Sequence, residues 1–196
     1  SKAKSLTNLG LSYVNLQEYE KALNSYQEAL PILTEMSQDS EDILVGTLRT
    51  VAFIFDLLND HEKALEYYRQ SLVILQENDN ISGEATILNN IASIYREDQK
   101  YQEALNYYQK ALTILEQTGE NSKKDSTLCG IGSIYLNLGQ FSNAEQILFE
   151  SIEIQENLRR ELNDENKISL FDQKFCAYYF LQQTLIKQNK INQALE

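Results

Sequence analysis

Four near-copies of one eight-residue phrase run along this chain of 196 residues: Leu6-Thr-Asn-Leu-Gly-Leu-Ser-Tyr13, Leu48-Arg-Thr-Val-Ala-Phe-Ile-Phe55, Leu88-Asn-Asn-Ile-Ala-Ser-Ile-Tyr95 and Leu128-Cys-Gly-Ile-Gly-Ser-Ile-Tyr135. Each copy is followed at a fixed distance by Tyr19-Glu-Lys-Ala-Leu, His61-Glu-Lys-Ala-Leu, Tyr101-Gln-Glu-Ala-Leu or Phe141-Ser-Asn-Ala-Glu, and then by Tyr26, Tyr68, Tyr108 or Leu148. The period is 40 to 42 residues. Self-similarity on that scale implies stacked supersecondary units, none of which can bury its apolar face alone.

Within each copy, Leu6, Leu9 and Gly10 or their equivalents stand at i, i+3 and i+4, one stripe of a helix. The small residue admits a close neighbour. The second half repeats the logic with Ala22, Tyr26 and Ala29. Two such helices, joined by short polar turns such as Asn59-Asp60 and Gly139-Gln140, are shaped to pack antiparallel. The spacing predicts helices over 3–16, 18–36, 41–58, 61–77, 81–97, 101–118, 122–138, 141–161 and 165–188. Pro31, inside the second of these, predicts a bend or local break. Ser122 with Asp125 has capping-box spacing, and Asn163 precedes an acidic pair, so both read as helix starts. Gly83 and Gly119 read as helix-end residues between hairpins.

The pattern of Leu-Gly-x-x-Tyr followed by Ala-x-x-x-Tyr-x-x-Ala resembles the tetratricopeptide repeat (TPR) over residues 3 to 154. Ala52 in a Gly column, and Leu148 with Ser151 in the fourth copy, depart from it while keeping an apolar or small side chain. The resemblance implies an all-α TPR superhelix, a right-handed solenoid of antiparallel helix hairpins. It would be a single domain over 1–196, with four regular repeats at about 3–40, 41–80, 81–120 and 121–161 and a degenerate, stretched fifth at 162–196. Units near 40 residues are similar to those of kinesin light chains, of Gly-Asn-rich polarity scaffolds and of bacterial proteins with a caspase-like CHAT protease domain. The segment with Arg159-Arg160, an acidic break at Asn163-Asp-Glu165, then Leu181-Gln-Gln-Thr-Leu-Ile-Lys-Gln-Asn189 and Ala194-Leu-Glu196 resembles the last repeat that leads into a CHAT domain. On that resemblance the chain is expected to be a fragment of a longer protein.

Functional classes narrow by what the residues offer. Net charge is −12, and Lys and Arg are scattered apart from Lys123-Lys124 and Arg159-Arg160, so no nucleic-acid partner is expected and any electrostatic attraction would favour a basic one. The two lysine and arginine pairs read as solvated helix ends. No apolar run approaches the length that crosses a bilayer, so no membrane is expected. Cys129 and Cys176, in separate repeats, support no disulfide framework, and a reducing cytoplasm is the default. Cys129 reads as a small groove-facing residue. The sole histidine, His61, falls in the column of Tyr19, Tyr101 and Phe141 and reads as a ring packed at a hairpin turn. Without a paired acid, base or nucleophile, no enzyme, catalytic residue, metal or cofactor is expected.

Recognition is left to the groove. In TPR proteins the first helices line a concave surface, and the resemblance carries its columns onto Lys4, Thr7, Asn8, Leu11 and Asn15, then Arg49, Thr50, Phe53 and Asp56. The later repeats contribute Asn89, Asn90, Ser93, Arg96 and Glu97, followed by Cys129, Ser133 and Asn137. Asparagine donates and accepts, so a row of them can bond the backbone of an extended peptide. Asn8, Asn89 and Asn90 lead the binding candidates, with Asn15, Arg49, Arg96, Ser133 and Asn137. The expected function is a non-catalytic protein-protein interaction module that senses or regulates for an attached CHAT-type protease. A free-standing peptide-binding scaffold of the kinesin-light-chain type is the alternative.

Overall fold

The computed structural model describes residues 2–35, 41–161 and 176–188. Among them are nine α-helices and no strand: α1 Lys2–Asn15, α2 Tyr19–Glu35, α3 Glu41–Leu57, α4 His61–Glu77, α5 Ile81–Glu97, α6 Tyr101–Thr118, α7 Asn121–Asn137, α8 Phe141–Glu161 and α9 Cys176–Lys187. The first eight match the predicted spans to within one residue at each end. Of the ninth, the predicted residues 165–175 lie outside the described ones, as does the Asn163 start signal. The helices fall into two compact units, Ser1–Ile94 and Tyr95–Glu196.

In the first unit α1 packs on α2, α2 on α3 and α3 on α4. The small residues of the repeat meet the large ones there. A Cβ on Gly10 would stand 2.7 Å from the ring of Tyr26, which is itself 2% exposed. Tyr26 joins Ala22, Val51 and Ile54 in one buried cluster, with Tyr13, Tyr19 and Phe55 at its margin. Burial of each such ring or aliphatic side chain contributes about 1.5–3 kcal/mol, which is why the columns are kept apolar. The second-helix tyrosines Tyr26, Tyr68 and Tyr108 are core, whereas Tyr13, Tyr95 and Tyr135 on the first helices are half-buried.

In the second unit α6 packs on α7, α7 on α8, and α9 on both α7 and α8. Leu136, Ala144, Leu148, Ala177, Leu181 and Leu185 form its buried cluster around α9. Leu148 serves where the other copies carry tyrosine. A Cβ on Gly132 would stand 2.5 Å from its Cδ2, so the fourth hairpin closes as tightly with an aliphatic side chain as with a ring.

One turn joins the two helices of each of the pairs α1–α2, α3–α4, α5–α6 and α7–α8. Gln17, Asn59, Gln99 and Gly139 take the left-handed conformation, with φ of 60°, 58°, 60° and 71°. In each case the next residue's N–H reaches five residues back, as in Glu18 N to Tyr13 O at 2.9 Å and Lys100 N to Tyr95 O at 2.8 Å. The left-handed residue itself bonds three back. This paired bonding satisfies the last carbonyls of each first helix and reverses the chain in two residues. A lysine then covers the aromatic ring that ends the first helix: Lys21 over Tyr13, Lys63 over Phe55 and Lys100 over Tyr95, at 5.0 to 5.8 Å from the centroids.

Four local expectations are corrected. Helix α2 continues through Pro31 without the local break that was one of the two expected outcomes: Pro31 and Gln27, whose carbonyl loses its partner, both face solvent, where water can take that bond. Gly83 lies in the first turn of α5, where its N–H donates to Asn80 Oδ1 at 2.9 Å, rather than between the helices. It is small because Leu75 Cδ2 would lie 2.5 Å from its Cβ. Gly119 does cap α6, at φ 70°. The start of α7 is Asn121 after Glu120, so Ser122 lies within the first turn rather than at the cap, and Asp125 is turned inward at 2% exposure. There Asp125 Oδ1 accepts from Ser151 Oγ at 2.5 Å and from Gln155 Nε2 at 3.0 Å, both on α8. Lys124 is not a solvated helix start either. Its ammonium lies 2.8 Å from Glu150 and 3.5 Å from Glu116, which ties α7 to α8 and to α6 and raises its pKa, chiefly through the hydrogen bond to Glu150.

Candidate functional site

The first helices carry the predicted groove columns, and in the first unit they line an open pocket of about 380 Å³ between α1 and α3. Lys4, Thr7, Asn8 and Leu11 line it from α1, and Ile43, Gly46, Thr47, Arg49 and Thr50 from α3. Tyr26 of α2 closes the floor. A Cβ on Gly46 would meet nothing within 4 Å, so this glycine leaves the cavity wide rather than admitting a packed neighbour.

The chemistry of that lining is polar and cationic. Lys4 and Arg49 are exposed, Thr7 and Thr50 half-buried, and no acidic side chain takes part. Thr7 and Thr50 hydroxyls donate back to their own helices, to Ala3 O at 2.8 Å and Gly46 O at 2.9 Å, which leaves their oxygen lone pairs as acceptors. The exposed Asn8 keeps an amide at the rim. In a chain of net charge −12, two cations around one concavity form a local reversal of sign.

The remaining candidates separate by environment. Asn15 and Asn137 are exposed near the ends of α1 and α7. Asn89 and Asn90 are half-buried on α5, and the Asn90 side chain bonds the hydroxyl of Tyr68. Burial, and then the charge of Asp56, push the Tyr68 phenol far above its ordinary value, while Arg49 and the Asn90 bond pull against them. Asn90 is therefore part of the packing as much as of the groove wall. In the second unit Arg96 reaches Ser133 Oγ at 3.4 Å and Glu97 at 3.6 Å. Ser133, 3% exposed, also donates to Gly130 O at 2.7 Å.

His61 is half-buried at the α3–α4 turn, as expected, with Nε2 3.9 Å from Asp56 Oδ1. The reading of the cysteines changes. Cys129 is 3% exposed and forms a disulfide with Cys176, their Cα atoms 6.4 Å apart. The sequence separation of 47 is spanned because α9 packs directly against α7, so the first residue of α9 meets α7 where spacing alone kept the two thiols apart. A second cavity of about 390 Å³ lies at the α7–α8 turn between Gly139–Asn143 and Gln188, and none of the predicted groove residues lines it.

No helix among the described residues is long and apolar enough to cross a membrane. A comparison with the curated proteins found no sequence match. Among solved structures, BtubC (BKLC) from P. vanneervenii superposes with a TM-score of 0.80 at 23% identity, over 98% of this chain and 75% of that one. The apo form of RapI gives 0.84 at 18% identity over 100% and 67%. A kinesin light chain of nearly identical TPR-like repeats from Podosopora anserina gives 0.72 at 14% over 100% and 92%. These likenesses speak to the fold. The sequence model of the tetratricopeptide repeat matches residues 1–77 and 83–157, and the chain belongs to that family.

Proposed function

We propose that this chain is a non-catalytic protein-protein interaction module that captures an extended segment of a partner along its first helices. The observation that carries the reading is the α1–α3 cavity, with Lys4 and Arg49 on its rim and Asn8, Thr7 and Thr50 beside them. It is large enough for one side chain with its flanking backbone. A carboxylate on the captured segment would meet two cations there, and Arg49 can take it in two parallel bonds. The basic character of a partner, favoured by the net charge of −12, would act over the rest of the surface and chiefly on the rate of encounter.

The segment from Arg159 to Glu196, by its resemblance to the repeat that leads into CHAT domains, favours a sensing or regulatory role for an attached protease-like domain. A free-standing scaffold of the kinesin-light-chain type would use the same groove. The repeat length of 40 to 42 residues supports both.

A peptide library selected on the immobilised chain, followed by titration of one selected peptide, tests the groove. Arg49→Glu should weaken that peptide by tenfold or more, since the reversal replaces an attraction worth more than about 1.4 kcal/mol with a repulsion. Unchanged affinity would move recognition off this cavity.

A further inference from the structure

The thiol pair Cys129 and Cys176 is the feature that the interaction reading does not use. Cys129 is 3% exposed on α7, whereas Cys176, the first residue of α9, is exposed. Their Cα atoms are 6.4 Å apart, within the range that a disulfide spans without backbone movement. Helix α9 otherwise holds to its unit through the buried Ala177, Leu181, Thr184 and Leu185, the half-buried Phe180 and a 2.9 Å hydrogen bond from the Tyr178 hydroxyl to Glu156, while Tyr179 and Ile186 stay exposed. A covalent link at one end of a helix opposes its local opening. The cross-link sits at its leading end.

We propose that Cys129 and Cys176 form a reversible thiol-disulfide couple, a modification site for low-molecular-weight disulfides, that latches α9 onto α7. The exposed Cys176 thiolate attacks one sulfur of a small disulfide RS–SR. The S–S bond of the reagent breaks, a mixed disulfide Cys176–SR forms, and RS⁻ leaves with the electron pair. The Cys129 thiolate then attacks the Cys176 sulfur, forms the intramolecular bond and expels a second RS⁻. The two protein protons end on the two released thiolates. The protein is oxidised by two electrons, the reagent reduced by two, and a dithiol reverses both steps. Burial of Cys129 confines outside reagents to Cys176 and makes Cys129 the resolving thiol. Closing a loop of 47 residues restricts the unfastened states of α9, so the oxidised form holds the helix more firmly.

The test uses the full chain, fully reduced with dithiothreitol and then exposed to oxidised glutathione. The expected product has lost two hydrogens, carries a Cys129–Cys176 cross-link in its peptide map, and forms at a rate independent of protein concentration. Dithiothreitol should reverse it without denaturant. Amide hydrogen exchange over residues 176–187 should slow by about tenfold or more in the oxidised form. The double variant Cys129→Ser, Cys176→Ser should exchange like the reduced protein whether or not glutathione is present. A persistent glutathione adduct on Cys176, intermolecular dimers, a cross-link that resists reduction of the native protein, or equal exchange in the two redox forms would each overturn the proposal.

Discussion

Ser151 Oγ donates a 2.5 Å hydrogen bond to Oδ1 of Asp125 across the α7–α8 interface, and both side chains are buried. Gln155 Nε2 completes the set at 3.0 Å. A buried carboxylate with two donors is tolerable, but one donor left without it is not. Asp125→Ala should therefore cost about 2–4 kcal/mol, because in a dry interface Gln155 loses its acceptor and Ser151 keeps only the more distant carbonyl of residue 125, at 3.4 Å. The triple change Asp125→Ala, Ser151→Ala, Gln155→Leu copies the third repeat, which has Ala85, Ala111 and Leu115 at these positions. It should recover most of that loss in urea denaturation. A triple variant no more stable than Asp125→Ala would show that the polar set is irreplaceable.

That triad also marks the limit of what spacing could tell. The columns of large and small residues were legible because they repeat: Gly10 against Tyr26 and Gly132 against Leu148 are one contact written twice. Asp125 carries the local signal of a capping box, Ser-x-x-Asp at a helix start. Read down the columns, it replaces Ala3, Val45 and Ala85. In the same repeat Gln155 replaces Leu33, Leu75 and Leu115. Two polar substitutions in apolar columns of one repeat were the available clue. The first-helix columns were legible, but not which of their amides bond within the fold. The partner of Asn90, Tyr68, lies on the preceding hairpin and is invisible to spacing. The Cys129–Cys176 contact was hidden for a related reason, because the fifth repeat breaks the period that would have aligned α9 with α7.

The left-handed turn residues offer a stabilising change. Gln99 holds φ of 60° and Gly139 fills the equivalent place at 71°. A side chain in that region costs about 1 kcal/mol, partly offset by the freedom that glycine adds to the unfolded chain. Gln99→Gly should raise stability by a few tenths to about 1 kcal/mol, read as a higher melting temperature. A fall would mean that the Gln99 side chain makes a contact outweighing its strain.

Gly130 should tolerate no side chain. A Cβ there would lie 2.5 Å from Tyr108 Cζ and 2.6 Å from its hydroxyl oxygen, and Tyr108 is 4% exposed. Gly130→Ala should destabilise by about 1–3 kcal/mol despite the better helix propensity of alanine. An unchanged melt would show that the Tyr108 ring moves aside freely. Ala104, fully buried on α6, should behave alike on conversion to leucine.

Alkaline pH should act through Tyr68. Burial, then Asp56, raise its pKa above the ordinary 10.0, so the folded chain holds the phenolic proton that the unfolded chain releases. The stability from this group is complete below pH 10 and declines as pH rises beyond it, by about 1.4 kcal/mol per pH unit while only the unfolded phenol is ionised. Tyr68→Phe should flatten that part of the stability profile between pH 10 and 12. Denaturation midpoints falling equally in both proteins would place the alkaline loss elsewhere.

Paired substitutions on α5 separate recognition from packing. Asn89→Ala with Asn90→Ala removes two amides from the groove wall, and each lost bond to a captured backbone is worth about 0.5–1.5 kcal/mol. Asn90 also bonds the hydroxyl of the buried Tyr68, so its loss should lower stability by a similar amount even without a peptide. Asn8, exposed on α1 at the cavity rim, has no such debt. If the groove captures peptide backbone, Asn8→Ala should weaken a selected peptide by several-fold at constant melting temperature, whereas Asn90→Ala should lower both. Calorimetric titration beside a thermal melt reads the two quantities on the same samples. A peptide indifferent to Asn8, Asn89 and Asn90 together, yet lost with Arg49→Glu, would mean that recognition rests on the carboxylate of the ligand and not on its backbone.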